Sequence, residues 1–102
     1  MSEVNTDISL DVLAKMAARY IWWESVPTAL RHPDRIMAQV MNLGDYEDVQ
    51  TLLKLVGEDR LRCVLSSAEI GQFNERSWTY WHYRLGLAEP GHVPAMPTRK
   101  VG

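Results

Sequence analysis

The sequence contains a single cysteine, Cys63, among its 102 residues. One cysteine cannot form an internal disulfide or a cysteine-based metal cluster, so disulfide scaffolds and zinc-finger-like domains are excluded. A chain without disulfides is typical of a reducing compartment, and we therefore expect a cytoplasmic protein. Because Cys63 lies among Leu61, Val64 and Leu65 in a predicted helix, we expect an inert thiol in the core.

Long apolar runs and an excess of one charge are also missing. The apolar stretches are shorter than the roughly 18 residues that a membrane-spanning helix needs, and residues 1–7 lack the apolar run of a signal peptide. The chain carries 11 Lys and Arg against 13 Asp and Glu, a net charge of −2. This balance lacks the clustered basic surplus of nucleic-acid-binding proteins and argues against that class.

Apolar residues recur at three-and-four spacing through the middle of the chain, and no stretch alternates with the period of two that strands require. A chain of 102 residues can bury one core but not two. We predict an all-α fold: a compact bundle of four to five short helices over residues 1–88, followed by an extended arm over residues 89–102.

Helix boundaries follow from capping residues, glycines and prolines. The first predicted helix covers about residues 10–23, with Ser9 as its N-cap, and Ser25 is expected to start a short turn after it. The remaining helices are each expected to end at a glycine, and they cover residues 33–44, 45–57, 58–71 and 74–86. Predicted core residues are Leu13, Met16, Ile36, Val40, Val49, Leu52, Leu53, Leu61, Val64, Leu65 and Trp78.

The arm after Gly86 contains Pro90, Pro94 and Pro97, whose spacing prevents a helix. Arg99 and Lys100 favour solvation of its end. Two interpretations remain open at this stage. The arm either lies along the bundle or a partner, or it is mobile.

The sequence offers little chemistry for catalysis or for metal binding. His32, His82 and His92 have no carboxylate or second histidine three or four residues after them, which a helical metal-ligand pair would require. The glycines are scattered singly and form no phosphate-binding loop. We therefore expect no enzyme activity, no metal and no cofactor.

Aromatic residues are the most informative feature, because the four tryptophans form two close pairs, Trp22 with Trp23 and Trp78 with Trp81. Trp78 and Trp81 share one helix face and are expected to pack in the core. Trp22 and Trp23 point about 100° apart on a helix and cannot both face it. Aromatic side chains left outside the core are typical anchors of protein interfaces.

Acidic residues at the start of the third helix add a second feature. Glu47 and Asp48 are explained either as complements to the positive end of the helix dipole or as an acidic binding patch. We predict a protein-binding surface that combines the exposed aromatic residues with this patch. Its residues are Trp22, Trp23, Glu47, Asp48, Tyr80 and Tyr83.

A helix-turn-helix is the main alternative, because Gly57 separates two predicted helices. The second of them offers Arg60 and Arg62 but also Glu58 and Asp59, which leaves no net positive face for phosphates. A small DNA-binding regulator therefore stays an alternative. A self-associating structural protein is another.

The ordered residues also carry a family resemblance. Its elements are Ile21-Trp22-Trp23, Arg35-Ile36, Val40-Met41, Gly44-x-x-Glu47-Asp48, Leu52, Gly57, Leu61, Leu65 and Ser77-Trp78. The chain resembles a family of short bacterial helical proteins encoded beside abortive-infection (AbiEii-type) nucleotidyltransferase toxins. Relatives tend to have Asp after the first tryptophan, where this chain has Trp23 and Glu24. The resemblance implies an antitoxin that neutralises the toxin by direct contact. A homodimer is compatible with this role.

Overall fold

The structure, a computed structural model, describes residues 2–97, with side chains described from residue 10 onward. Residues 2–97 form five helices and no strand, which confirms the predicted all-α bundle. Helix α3 lies at the centre of the bundle and packs against α1, α2, α4 and α5. In chain order the helices are α1 (Ser2–Tyr20), α2 (Val26–Ala29), α3 (Pro33–Leu43), α4 (Tyr46–Ser66) and α5 (Glu75–Arg84).

Helix α1 differs from its prediction at both ends. It begins at Ser2, so Ser9 lies inside the helix and is not its N-cap. No glycine or proline precedes Ser9, and the backbone therefore has no reason to leave the helical conformation there. The helix ends at Tyr20, whose carbonyl accepts a hydrogen bond from Gln39 Nε2 at 3.2 Å. Trp22 and Trp23 consequently lie in a turn and not in the helix.

The caps of α2 and α3 agree with the sequence. Ser25 caps α2 by accepting a hydrogen bond from the Thr28 backbone N–H at 3.3 Å. Pro33 occupies the first position of α3, where its missing N–H costs nothing, and Asp34 lies in the first turn. This helix contributes Ile36, Val40 and further side chains to the core.

At Gly57 the structure agrees with the predicted boundary between two helices. Gly57 has a φ of 83° and a ψ of 163°, which are not helical, so the segments on either side are two helices that meet at a kink and are described together as α4. Only glycine takes a positive φ without steric cost, which explains why the break lies at this residue. The helix ends at Ser66 and not at Gly71, which lies in the following loop. Asp45 caps its start through the Asp48 backbone N–H at 2.8 Å.

Helix α5 follows the sequence signals closely. Asn74 caps it by accepting from the Ser77 backbone N–H at 2.8 Å. At its other end Gly86 has a φ of 70°, and Leu87 N donates to His82 O at 2.8 Å, so the helix closes in a Schellman motif at the predicted glycine. Residues 89–97 form no helix, as their prolines require.

The core lies between α3 and its neighbours, and nine of the eleven predicted core residues are buried. Val49 and Leu53 are partly buried and pack against its edge. Cys63 contradicts the prediction of a core thiol, because it is exposed. It follows Leu61 by two residues, or about 200° of helix rotation, and so points away from the buried stripe.

The end of α3 shows how α5 is fixed to the bundle. The last carbonyls of a helix have no partner within the helix. Trp81 Nε1 donates to Met41 O at 2.8 Å, and Ser77 Oγ donates to Asn42 O at 3.1 Å. Side chains of α5 thus satisfy backbone groups that α3 cannot satisfy itself. Among residues 2–97, none of the helices is both long and apolar enough to cross a membrane.

Candidate functional site

Trp22 and Trp23 occupy the turn between α1 and α2. Their side chains are 76% and 58% exposed, and the two indoles contact each other edge to face with ring centroids 5.6 Å apart. This arrangement is one that aromatic rings prefer. Two large apolar side chains are therefore presented to solvent side by side.

The backbone that carries these tryptophans is anchored on both sides. Ile21 is buried, and its N–H donates to Ala17 O at 2.8 Å. Glu24 N donates to Ile21 O at 3.2 Å, and Ser25 then starts α2. The turn is consequently held by the burial of Ile21 and by backbone hydrogen bonds.

A groove of about 230 Å³ adjoins Trp23 and extends to the loop after α4. Ile70 from that loop lines it and is itself exposed. Arg35 and Glu69 also line the groove and form an ion pair at 3.5 Å. We call the surface of Trp22, Trp23 and Ile70 the Trp corner. It has an apolar centre and a charged edge, as protein interfaces commonly do.

The two predicted acidic residues have different environments. Glu47 is exposed in the first turn of α4. Asp48 is half-buried, accepts a hydrogen bond from the Tyr20 hydroxyl and pairs with Arg19 at 3.0 Å. Arg19 also pairs with Asp45 at 3.4 Å. Asp48 therefore connects α4 to the end of α1, while Glu47 projects into solvent.

The contact with Asp48 changes the acidity of Tyr20. Burial raises the pKa of the Tyr20 hydroxyl, and its hydrogen bond to the Asp48 carboxylate and the negative charge there raise that pKa further. A backbone hydrogen bond to Asp45 and the positive charge of Arg19 oppose the increase. Tyr20 thus stays protonated as the donor in this contact at neutral pH.

The two predicted tyrosines of α5 lie in two further environments. Tyr80 contacts Trp81 edge to face, with ring centroids 5.2 Å apart, and lines a groove of about 290 Å³ with Tyr46. The Tyr83 hydroxyl accepts a hydrogen bond from Gly91 N at 3.1 Å and so holds the arm. The grooves of Trp23 and Tyr80 have no lining residue in common. The six predicted residues therefore do not line one common groove.

Two exposed apolar residues beside these sites were not predicted. Ile70 lies in the loop that the sequence interpretation assigned to a longer helix, and Tyr46 is the first residue of α4. Both fall outside the apolar stripes of their neighbouring helices. That deviation, in a residue with a large apolar side chain, is the sequence signal that could have identified them.

The arginines considered for DNA binding take part in internal contacts. Arg60 pairs with Asp34, and Arg62 pairs with Asp59 at 2.6 Å and with Glu58 at 3.2 Å. Arg62 Nε also donates to a carbonyl of the α5 cap at 2.8 Å. Groups that neutralise each other in this way offer little attraction for phosphates.

Glu58 also reaches across to α5. Arg84 pairs with it at 2.9 Å. The hydrogen bond to Glu58 raises the pKa of the Arg84 guanidinium. The acidic pair at positions 58 and 59 is thus bound to arginines of the same bundle.

The histidines are separated in the structure. His32 is exposed at the start of α3, His92 is exposed in the arm, and His82 is buried in α5. Within the described part of the chain, no three side chains of His, Cys, Asp or Glu lie together in a way that could hold a metal ion.

Comparison with known proteins provides no relative. No protein-family model matches the chain, no curated protein matches it, and no solved structure matches it.

Proposed function

We propose that the chain is a non-catalytic module that binds a protein partner through the Trp corner. The observation that carries the proposal is the exposure of Trp22 and Trp23 on a turn that the core anchors independently of them. Contiguous exposed apolar patches typically mark interaction sites, and tryptophan is enriched among the residues that dominate interface energies. A preformed turn also lowers the entropic cost of binding.

The distribution of charge leaves Glu47 available to a partner. Arg19, Arg35, Arg60 and Arg84 each pair with a carboxylate in the described chain. Glu47 is exposed and pairs with no basic side chain among residues 10–97. It is therefore available as a supplementary contact for a basic surface on the partner.

The resemblance described above supplies the partner to test first. We propose that it is a toxin of the nucleotidyltransferase class, bound in the cytoplasm of a bacterium. A toxin that handles nucleotides or RNA presents basic groups, and the exposed Glu47 complements such groups. Direct occlusion of the toxin by the Trp corner would then account for neutralisation.

The test is binding of the neighbouring gene's product to the purified protein, measured by calorimetry. The double variant Trp22→Ala/Trp23→Ala should weaken binding by about 30-fold or more, as loss of an aromatic hot spot does. Glu47→Lys should weaken it by about tenfold through charge reversal. Tyr46→Ala removes an equally exposed aromatic ring outside the Trp corner and should leave binding unchanged.

Two outcomes would replace this proposal. Equal binding by the wild type and the double Trp variant would remove the Trp corner from the interface. A wild-type dimer that becomes a monomer in the double variant would show that the same surface binds a second copy of the chain. Sedimentation of both proteins distinguishes the second outcome. The regulator alternative predicts salt-sensitive DNA binding that depends on Arg60 and Arg62, which a gel-shift assay measures.

A further inference from the structure

A cavity of about 440 Å³, broadly open to solvent, lies between the end of α4, the middle of α5 and the arm. This volume is within the range of roughly 300–1,000 Å³ that small-molecule sites occupy. Apart from His82, none of the side chains that line it is ionisable, and the lining is mainly apolar. Its residues include Leu65, Ser66, Trp78, His82, Pro94 and Pro97.

His82 is the titratable side chain in this lining, and it is 5% exposed. Its Nδ1 lies 2.8 Å from Trp78 O. A carbonyl oxygen can only accept a hydrogen bond, so Nδ1 carries a hydrogen and donates a hydrogen bond to Trp78 O. The ring also packs against Trp78 with centroids 4.3 Å apart, which fixes its orientation.

The second ring nitrogen, Nε2, has no hydrogen-bond partner among residues 10–97. In the described chain no fully buried side-chain nitrogen or oxygen lacks a partner. Nε2 therefore belongs to the small part of the ring that remains accessible. In the neutral ring it accepts a hydrogen bond, and in the protonated ring it donates one.

The arm forms one wall of the cavity and is held in place by two hydrogen bonds. Trp78 Nε1 donates to Pro94 O at 2.7 Å, and Gly91 N donates to the Tyr83 hydroxyl at 3.1 Å. Val93 and Met96 are partly buried against the core. The cavity therefore exists because this arm is docked along α5.

We propose that this cavity binds a small apolar molecule that carries one carboxyl group. The carboxyl group pairs with His82 Nε2 in either protonation arrangement, as a carboxylate with imidazolium or as a carboxylic acid with neutral imidazole. Ser66 lines the same cavity and adds a hydroxyl donor to it, and the apolar walls receive the hydrocarbon part. The site is separate from the Trp corner, and the two proposals succeed or fail independently.

The probes for this proposal are hexanoate and its neutral counterpart 1-hexanol, titrated into the full-length protein and followed by NMR. We expect hexanoate to shift the Trp78 indole N–H and the His82 Nε2 signals, with no comparable change at the indoles of Trp22 and Trp23. 1-Hexanol should bind more weakly and shift the His82 Nε2 signal less. Absence of hexanoate binding at millimolar concentration, or binding that shifts other sites and leaves His82 Nε2 unchanged, overturns the proposal.

A variant separates the role of Nε2 from that of Nδ1. His82→Asn retains a donor for Trp78 O but has no counterpart of Nε2, and we expect it to bind hexanoate at least about tenfold more weakly. The matched control is His92→Asn in the arm, which does not line the cavity and should bind like the wild type. Equal hexanoate affinity in a folded His82→Asn protein contradicts the proposal. If this variant does not fold, the shift of the His82 Nε2 signal in the hexanoate titration of the wild type decides whether the proposal stands.

Discussion

The two tryptophan pairs of this chain have opposite environments. Trp78 and Trp81 are buried in α5, and each indole N–H donates to a backbone carbonyl, Pro94 O at 2.7 Å and Met41 O at 2.8 Å. Trp22 and Trp23 are exposed, and within residues 10–97 neither indole N–H has an acceptor. The same type of side chain thus completes the core in one region and is exposed to solvent in the other.

Spacing and position explain this difference. Residues three apart on a helix share a face, so Trp78 and Trp81 can both pack on the bundle. Trp22 and Trp23 are adjacent and lie beyond the last residue of α1, so they do not share a helix face. A buried indole also needs an acceptor for its N–H. For Trp78 the acceptor is a carbonyl of the arm, and for Trp81 it is a carbonyl of α3. Exposure of the first pair is therefore consistent with a role outside folding.

The largest expected effect concerns the buried pair. Trp81→Ala should lower the free energy of unfolding by about 3–5 kcal/mol, because it leaves a cavity and an unsatisfied carbonyl at Met41. Urea denaturation followed by circular dichroism measures this loss. A decrease below about 1 kcal/mol would show that Trp81 does not support the core as described.

The second prediction tests the contact between the buried pair and the arm. Trp78→Phe removes the indole N–H that donates to Pro94 O and should cost about 1.5 kcal/mol. The Gly91 amide should then exchange faster with solvent, since the arm loses one of its two hydrogen bonds to α5. Trp22→Phe serves as the control. Unchanged exchange at Gly91 in Trp78→Phe would mean that the arm is held by other contacts.

Local signals made most of the fold predictable. Asn74 at the start of α5 and Gly86 at its end act within a few residues of themselves, and both were identified correctly. The break at Gly57 was predicted as well, because a glycine with a positive φ interrupts a helix locally. The exposure of Cys63 was missed because its neighbours are apolar, although the helical angle between it and Leu61 separates them.

The candidate site was less predictable because its contacts span the chain. Asp48 could be assigned either to the helix dipole or to a partner, and its contacts with Arg19 and Tyr20 depend on how α1 and α4 pack. The hydrogen bond from Trp81 to Met41 joins residues 40 positions apart. No local pattern encodes such a pairing. For the same reason the sequence could not show that Trp23 and Tyr80 line different grooves.

The third prediction concerns Tyr20, which directly precedes the exposed turn. Tyr20→Phe removes the hydrogen bond to Asp48 and should cost about 1 kcal/mol near neutral pH. The folded state raises the pKa of Tyr20 above its ordinary 10.0, so this contribution is complete below that value and is lost as pH rises through the higher pKa of the folded protein.

The measurement is the free energy of unfolding of wild type and Tyr20→Phe at increasing pH. The gap between them should close at alkaline pH, with Tyr46→Phe as a control that shows no gap, since Tyr46 is exposed. A gap that widens with pH would reverse the assigned direction of the pKa shift. A constant gap would mean that Tyr20 contributes through packing and not through its hydroxyl.

The smallest expected change in stability belongs to the exposed pair. Trp22→Phe and Trp23→Phe, alone or together, should alter the free energy of unfolding by no more than about 0.5 kcal/mol, because exposed side chains lose little on substitution. Their fluorescence should nevertheless differ from that of the buried pair. Iodide, which reaches indoles at the surface, should quench much of the wild-type emission and little of the double variant's emission. If the double variant retains the quenchable fraction, the accessible indoles belong to α5, and the assignment of the two pairs is reversed. If the double variant unfolds at markedly lower urea concentration than the wild type, the turn depends on its tryptophans. Their exposure would then no longer indicate a binding surface.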